Sequence, residues 1–86
     1  LLIPSLITPN LDGRNDFFLI RGIESLGTTS LDIFNRWGSN VYCSGNYKND
    51  WDGRDMEGRP LPEDTYFYVL RPEKTVPVKG FVVIKR

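Results

Sequence analysis

Apolar and polar residues alternate along much of this chain with the two-residue period of β-strands, and no segment has the 3.6-residue period of a helix. The clearest alternation covers residues 31–37, where Leu31, Ile33 and Trp37 fall on one face. Residues 38–40, Gly-Ser-Asn, are typical of a turn, and residues 41–43, Val-Tyr-Cys, resume the apolar pattern. We therefore predict a β-hairpin over residues 31–43.

Four further segments have strand character. Residues 2–7 are apolar but interrupted by proline, which suits an edge strand. Residues 17–20, Phe-Phe-Leu-Ile, read as a short strand that ends before a glycine. Residues 65–70 are β-branched or aromatic on both faces, so we expect a central strand that is covered on both sides. Residues 78–86 form the last strand. Together these segments predict an all-β fold, a single small Ig-like antiparallel β-sandwich over residues 1–86.

The composition excludes several classes of function. The net charge is zero, from 11 basic and 11 acidic residues, which argues against binding of nucleic acid. Apolar runs are too short for a transmembrane segment. The chain has no histidine and a single cysteine, so it lacks the usual general base and the commonest zinc ligand. It has neither an initiator methionine nor a signal peptide, and we expect it to be the tail of a larger exported protein.

A loop over residues 8–16 is a candidate calcium site. Asn10, Asp12, Asn15 and Asp16 supply oxygen atoms around Gly13, and calcium prefers carboxylate and amide oxygens on a tight loop. The alternative is a structural turn in which these side chains bond the backbone amides of their own loop. The spacing favours the structural turn, and the sequence implies no other cofactor.

Acidic and aromatic residues in the second half of the chain raise two further possibilities. Trp51-Asp52-Gly53 suggests a buried indole followed by a tight turn with Gly53 at positive φ. Exposed aromatics could instead form a carbohydrate-binding platform, for which the candidates are Trp37, Tyr42, Tyr47 and Trp51. The core interpretation is favoured because a small domain needs the large apolar area of these rings. The acids at positions 50, 52, 55 and 57 lie among glycine and arginine and read as solvated loop charges, so we do not expect an enzyme.

The last strand is a candidate for partner binding. Basic residues dominate the end of the chain, and a receptor could bind this strand by strand addition combined with charge. The alternative is an ordinary charged edge that prevents aggregation. The candidate binding residues are Lys79, Phe81, Val83, Lys85 and Arg86. Replacing Lys85 and Arg86 together is expected to change stability little.

An ordered set of motifs resembles a known family. The segments are residues 8–16 (TPNLDGRND), 31–38 (LDIFNRWG), 41–42, 47–53 (YKNDWDG), 61–62, 65–70 (TYFYVL) and 79–86 (KGFVVIKR). They resemble the gliding-motility-associated C-terminal domain, the type B sorting domain of the type IX secretion system of Bacteroidota. The residues of the shared motifs that we expect to be structural are Asn35, Arg36, Trp37, Gly38, Trp51, Asp52, Gly53 and Tyr66. The family usually has glycine in place of Leu11 and Asp64, so the loop at Leu11 is expected to differ, whereas Asp64 tolerates a left-handed backbone.

The resemblance implies a signal that directs a cargo protein out of the cell. Cargo domains would lie N-terminal in the same chain, cross the periplasm and reach the cell surface or the medium. The implied partners are the type IX machinery and an outer-membrane protein of the PorP/SprF kind. An Ig-like module that binds glycan or protein on an adhesin, and a structural spacer, remain the alternatives.

Overall fold

The computed structural model describes residues 1–86 and contains one five-stranded sheet. The strands are β1 (Leu6–Ile7), β2 (Thr29–Phe34), β3 (Asn40–Ser44), β4 (Asp64–Pro72) and β5 (Val78–Ile84). Their order across the sheet is β1-β5-β4-β2-β3, and every neighbouring pair is antiparallel except β1 and β5. The prediction of an all-β, mostly antiparallel fold is confirmed.

The predicted hairpin over residues 31–43 is present as β2 and β3. Its turn is closed by hydrogen bonds from the Asn35 amide to the Ser39 carbonyl and from the Gly38 amide to the Asn35 carbonyl. The Asn35 side-chain oxygen also accepts the amides of Trp37 and Ser39, both at 3.0 Å. A register shift between Ile33 and Phe34 marks a bulge just before this turn.

The strand β4 lies at the centre of the sheet, as predicted, but it is not covered on both faces. Tyr66, Tyr68 and Leu70 are buried on one face, which we call the inner face. Phe67 points to the other, outer face and is 47% exposed. The expectation of two covered faces is therefore wrong. Apolar residues on both faces indicate that burial is possible, but no other part of this short chain packs over the outer face.

Segments outside the strands cover the inner face. The strands contribute Ile7, Leu31, Ile33, Tyr66, Tyr68, Leu70, Val82 and Ile84 to one core, and the other segments contribute Phe18, Ile20, Ile23, Tyr47, Trp51 and Leu61. Phe18 lies at the middle of the second group, with its ring centroid 6.0 Å from Trp51 and 5.4 Å from Tyr68. The structure has a single sheet, with irregular chain where a sandwich would have its second sheet.

Residues 17–20 were expected to be a strand, and this prediction is wrong. Their alternation is real, since Phe18 and Ile20 are fully buried. Their backbone, however, bonds to a loop: the Phe18 amide donates to the Trp51 carbonyl, and the Ile20 amide donates to the Asn49 side chain at 2.9 Å. Alternation shows which side chains point inward but not which groups satisfy the backbone.

One short helical element was not predicted. A 3₁₀ helix spans Ile23–Leu26, following Gly22 at φ 87°. It brings Ile23 into the core, and four residues are too few to show a helical period. No helix in the structure is long and apolar enough to span a membrane.

Candidate partner-binding surface

The alternation of β5 separates its candidate binding residues from the core. Val82 and Ile84 point to the inner face and are buried. Lys79 and Phe81 point to the outer face and are exposed, with Phe81 at 51%, while Val83 on the same face is half-buried. Lys85 continues the same alternation and is exposed. Four of the five residues that the sequence nominated thus share one surface.

The edge of β5 is largely occupied, which limits binding by strand addition. β1 pairs with β5 at Val83 and Ile84. The amides of Val83 and Lys85 donate to the carbonyls of Ser5 and Ile7, so odd-numbered residues of β5 direct their amides to this side. By the same alternation, Lys79 and Phe81 present backbone groups beyond the end of β1. The open edge is therefore only a few residues long.

Arg86 differs from the other four candidates because it is bound to the domain itself. Its guanidinium donates to the Leu61 carbonyl at 2.8 Å and to the Gly53 carbonyl at 3.1 Å. Its backbone amide donates to the carboxylate of Glu63. Because of these bonds, we expect the replacement of Arg86 to lower stability, and we keep the expectation of little change for Lys85 alone.

The loop over residues 8–16 is held together by its own acidic and amide side chains. Asp16 accepts the amides of Asn10 and Leu11 on one oxygen and that of Gly13 on the other, at 3.1, 3.0 and 2.8 Å. Asn10 accepts the amide of Asp12 at 3.2 Å, and Asp12 accepts an amide two residues on at 2.8 Å. These hydrogen bonds are the ones expected of a structural turn, which is the alternative to a calcium site in this loop. No group of three or more acidic, cysteine or histidine side chains is placed to hold a metal ion.

Leu11 and Asp64, the two positions at which the resemblance implies glycine in the family, differ in backbone conformation. Leu11 has φ 64°, in the left-handed region that a branched side chain resists, and its side chain is 92% exposed. Asp64 has no positive φ, because it begins β4. The left-handed conformation expected to survive at Asp64 is therefore absent, and Leu11 adopts the one it was expected to resist.

The Trp51-Asp52-Gly53 motif has the buried indole and the positive φ at Gly53 that the sequence indicated. Trp51 is 1% exposed, and its indole N–H donates to the Arg54 carbonyl at 2.9 Å. Its backbone amide donates to the hydroxyl of Tyr47, which in turn donates to the Phe18 carbonyl at 2.7 Å. Gly53 has φ 83°, and a Cβ there would lie 3.3 Å from both Arg86 and Ile84. The motif therefore packs against the end of β5.

Burial keeps the hydroxyl of Tyr47, which bonds to the Trp51 amide, in its neutral form. Burial raises the pKa of the Tyr47 hydroxyl far above its usual range, and the hydrogen bond from the Trp51 amide opposes this only partly. Tyr47 therefore stays neutral and can donate to the Phe18 carbonyl while accepting from Trp51.

The turn of the β2–β3 hairpin places Trp37 differently from the prediction. Trp37 is 80% exposed rather than on the inner face with Leu31 and Ile33. The register shift at Ile33 and Phe34 and the tight turn interrupt the alternation before it reaches this residue. The Arg36 guanidinium lies 5.8 Å from the Trp37 ring centroid and pairs with Asp64 at 2.6 Å. The hydrogen bond from Arg36 holds the pKa of the Asp64 carboxyl below its ordinary value.

The remaining candidates do not assemble into a chemical site. Trp51 and Tyr47 are buried, Tyr42 is half-buried and Trp37 is exposed at a turn, so they form no shared platform for a sugar. Asp55 pairs with Arg59 at 2.9 Å, and Asp52 pairs with Arg54 at 3.2 Å, as solvated loop charges do.

Two residues on the outer face, one on β4 and one on β2, are not singled out by the sequence. Phe67 of β4 lies opposite Phe81, and Phe34 of β2 lies opposite Phe67. The segments 31–37 and 65–70 each contained the alternation that puts these rings on the outer face. What the sequence lacked was the register that aligns them.

The match to a family decides what this arrangement serves. The family model of the CHU_C type IX secretion signal domain matches residues 1–84. The chain belongs to this family. No curated protein matches it.

Membership in this family accounts for the absence of catalytic geometry. A type IX secretion signal domain directs the export of its cargo to the cell surface or the medium, and it is not an enzyme. The resemblance drawn from the sequence motifs is confirmed.

Proposed function

We propose that this secretion signal is read as a folded surface by an outer-membrane partner of the PorP/SprF kind, with cargo domains N-terminal in the same chain. The contact residues are Lys79, Phe81, Val83 and Lys85 on β5, together with the neighbouring loop 8–16. The supporting observation is that Phe81 is half exposed on the same face as two lysines that form no ion pair. Arg86 contributes by fixing the end of β5 against residues 53 and 61.

In this proposal, the fold is related to the Ig-like β-sandwich but has one sheet instead of two. The support is its size, its central antiparallel strands and its buried tryptophan. The segments that carry Phe18, Ile23 and Trp51 take the place of a second sheet. A domain built in this way keeps one sheet face free for recognition.

A fusion tests the function directly. Residues 1–86 are placed at the C-terminus of a fluorescent reporter that carries a signal peptide, in a bacterium with a type IX system and in a matched strain without the translocon. Reporter outside the first strain and retained in the periplasm of the second is the expected result. A strain lacking the PorP/SprF-like protein then tests the partner, and normal export there would contradict it.

Retention of the reporter in the periplasm of both strains would show that residues 1–86 alone are not a sorting signal. The Ig-like binding module would then be the better interpretation. A binding module acts anywhere in a chain, whereas a sorting signal acts at its C-terminal end. Moving residues 1–86 to the N-terminal side of the reporter therefore separates the two functions.

A further inference from the structure

Three phenylalanines form a row across the outer face of the sheet. Phe34, Phe67 and Phe81 occupy directly paired positions on three adjacent strands, β2, β4 and β5. Neighbouring strands lie roughly 4.8 Å apart, so the rings are in reach of one another. Leu6, which is 42% exposed, lies opposite Val83 and extends the apolar surface toward β1.

The row contributes little to the core. The inner face contains the buried cluster, whereas Phe67 and Phe81 remain about half exposed on the other side. Together with Val69 and the stem of Lys79, they line a shallow, mostly apolar depression. Aligned exposed aromatics on a small domain mark an interaction site, because a single protein gains nothing from leaving them in water.

The lysines of β5 beside the row carry unpaired charges of one sign. Arg71 is paired with Asp32 at 2.7 Å, and Arg36 is paired with Asp64 at 2.6 Å, so these two acids are already neutralised. Lys79 and Lys85 form no ion pair. The apolar row is therefore flanked by two free positive charges along β5, and an acidic surface complements it.

The pairing of the strands favours binding to the face over binding to the edge. β1 already occupies β5 at Val83 and Ile84, and an added strand would have to displace it to gain more than a short pairing. The face is open without any rearrangement. Aromatic residues grouped at the centre of a contact commonly supply most of its affinity.

We propose that the row of Phe34, Phe67 and Phe81, with Lys79 and Lys85, binds an apolar, acidic-rimmed surface of the protein that recognises this domain during secretion. This inference rests on the proposed function and extends the contact from β5 to β4 and β2. The occupant is a protein partner, and neither a second copy of this chain nor a lipid surface.

The test uses the reporter fusion with two sets of substitutions. Phe67→Thr with Phe81→Thr removes two rings and keeps strand propensity. Lys79→Glu with Lys85→Glu reverses the flanking charge. The matched controls are Val76→Thr, at an apolar residue that is 73% exposed in a turn, and Lys48→Glu, at an exposed lysine away from the strands. Thermal unfolding of each purified domain establishes that it folds.

We expect both double variants to fold and to lower export by about ten-fold or more, as the loss of a central contact does. Both controls should be exported as the unchanged domain is. Folded double variants that are exported normally would overturn the inference. Failure of the unchanged domain would instead refute the proposed function, so the two are distinguishable. If the phenylalanine pair fails to fold, the lysine pair alone decides.

Two measurements on the unchanged purified domain address the other occupants. Light scattering is expected to give a monomer, and sedimentation with phosphatidylglycerol vesicles is expected to leave the domain in solution. A dimer that Phe67→Thr with Phe81→Thr dissociates would assign the row to a second copy. Vesicle binding lost in the same variant would assign it to lipid. Either result would overturn the protein partner.

Discussion

At the scale of single residues, Leu11 has a backbone conformation that its branched side chain disfavours. Its φ is 64° and its side chain is 92% exposed, so no packing of the side chain offsets the cost of this conformation. The conformation persists because three amides of the loop bond to Asp16 and set its path. The hydrogen bonds to Asp16 thus hold the loop in this shape although residue 11 is not a glycine.

This conflict predicts that Leu11→Gly stabilises the domain. The left-handed conformation costs an ordinary residue about 1–2 kcal/mol, and glycine loses about 0.5–1 kcal/mol of entropy on folding. The net gain is about 0–1.5 kcal/mol, and each 1 kcal/mol raises the Tm by about 4–8 °C. Thermal unfolding measures it, with Leu11→Ala as the control that keeps the strain. A lower Tm for the glycine variant than for the unchanged domain would show that the loop is not strained.

At the scale of elements, the hairpin β2–β3 is tied to the start of β4 by the ion pair of Arg36 and Asp64. The hydrogen bond from Arg36 is the main cause of the lowered pKa of Asp64, and the amide of Thr65 adds to it. A carboxyl group whose pKa is lower in the folded state stabilises the fold above its unfolded pKa. That contribution is lost as the pH falls through the folded value.

We therefore expect the stabilisation due to Asp64 to be fully present at neutral pH and to fade in acid below about pH 4. Asp64→Asn should lower the Tm at about pH 6 and have a much smaller effect at about pH 2. The control is Asp50→Asn, because Asp50 is exposed and forms no ion pair. Equal Tm differences between Asp64→Asn and the unchanged domain at both pH values would rule out the ion pair as their source.

The elements also show what a sequence of this length can predict. The hairpin and the central position of β4 followed from alternation and turn residues, because both are local properties. The conformation of residues 17–20 did not follow, since their backbone bonds to Asn49 and Trp51, about thirty residues away. The sequence also could not show that Phe67 would be exposed, because aromatic residues are enriched in strands and their presence does not reveal which face is covered.

The residues of the candidate site also differ in whether the sequence alone could predict them. Lys79, Phe81 and Lys85 could be chosen from the sequence because they alternate along the last segment of the chain, in which basic residues dominate. Phe34 and Phe67 could not, since only the register across three strands aligns them with Phe81. Arg86 was grouped with the lysines by charge, although the carbonyls that bind it lie in a loop far away in the sequence.

At the scale of the whole molecule, one end of the fold and the outer face of the sheet differ in what holds them in place. The loop 8–16, the turn at Gly53 and the guanidinium of Arg86 meet at one end of the sheet. There, neighbouring segments without regular structure depend on one another for their hydrogen bonds. The outer face, by contrast, is built from paired strands and needs none of these contacts to keep its shape. Substitutions at Arg86 and on the outer face can therefore change stability and recognition separately.

Arg86 and Lys85 allow that separation to be tested with adjacent residues. Arg86→Ala removes the bonds to the carbonyls of Gly53 and Leu61 and should cost about 1–2 kcal/mol, since charged hydrogen bonds are worth more than neutral ones and this one is partly exposed. Lys85→Ala removes an unpaired charge and should change the free energy of unfolding by no more than about 0.5 kcal/mol, a Tm change within about 2–4 °C. Export of the reporter should follow the opposite order at a temperature where both variants stay folded, with Lys85→Ala reducing it more. If Arg86→Ala lowered export without lowering the Tm, Arg86 would belong to the recognised surface. The proposed division between Arg86, which stabilises the fold, and the outer face, which is recognised, would then be wrong.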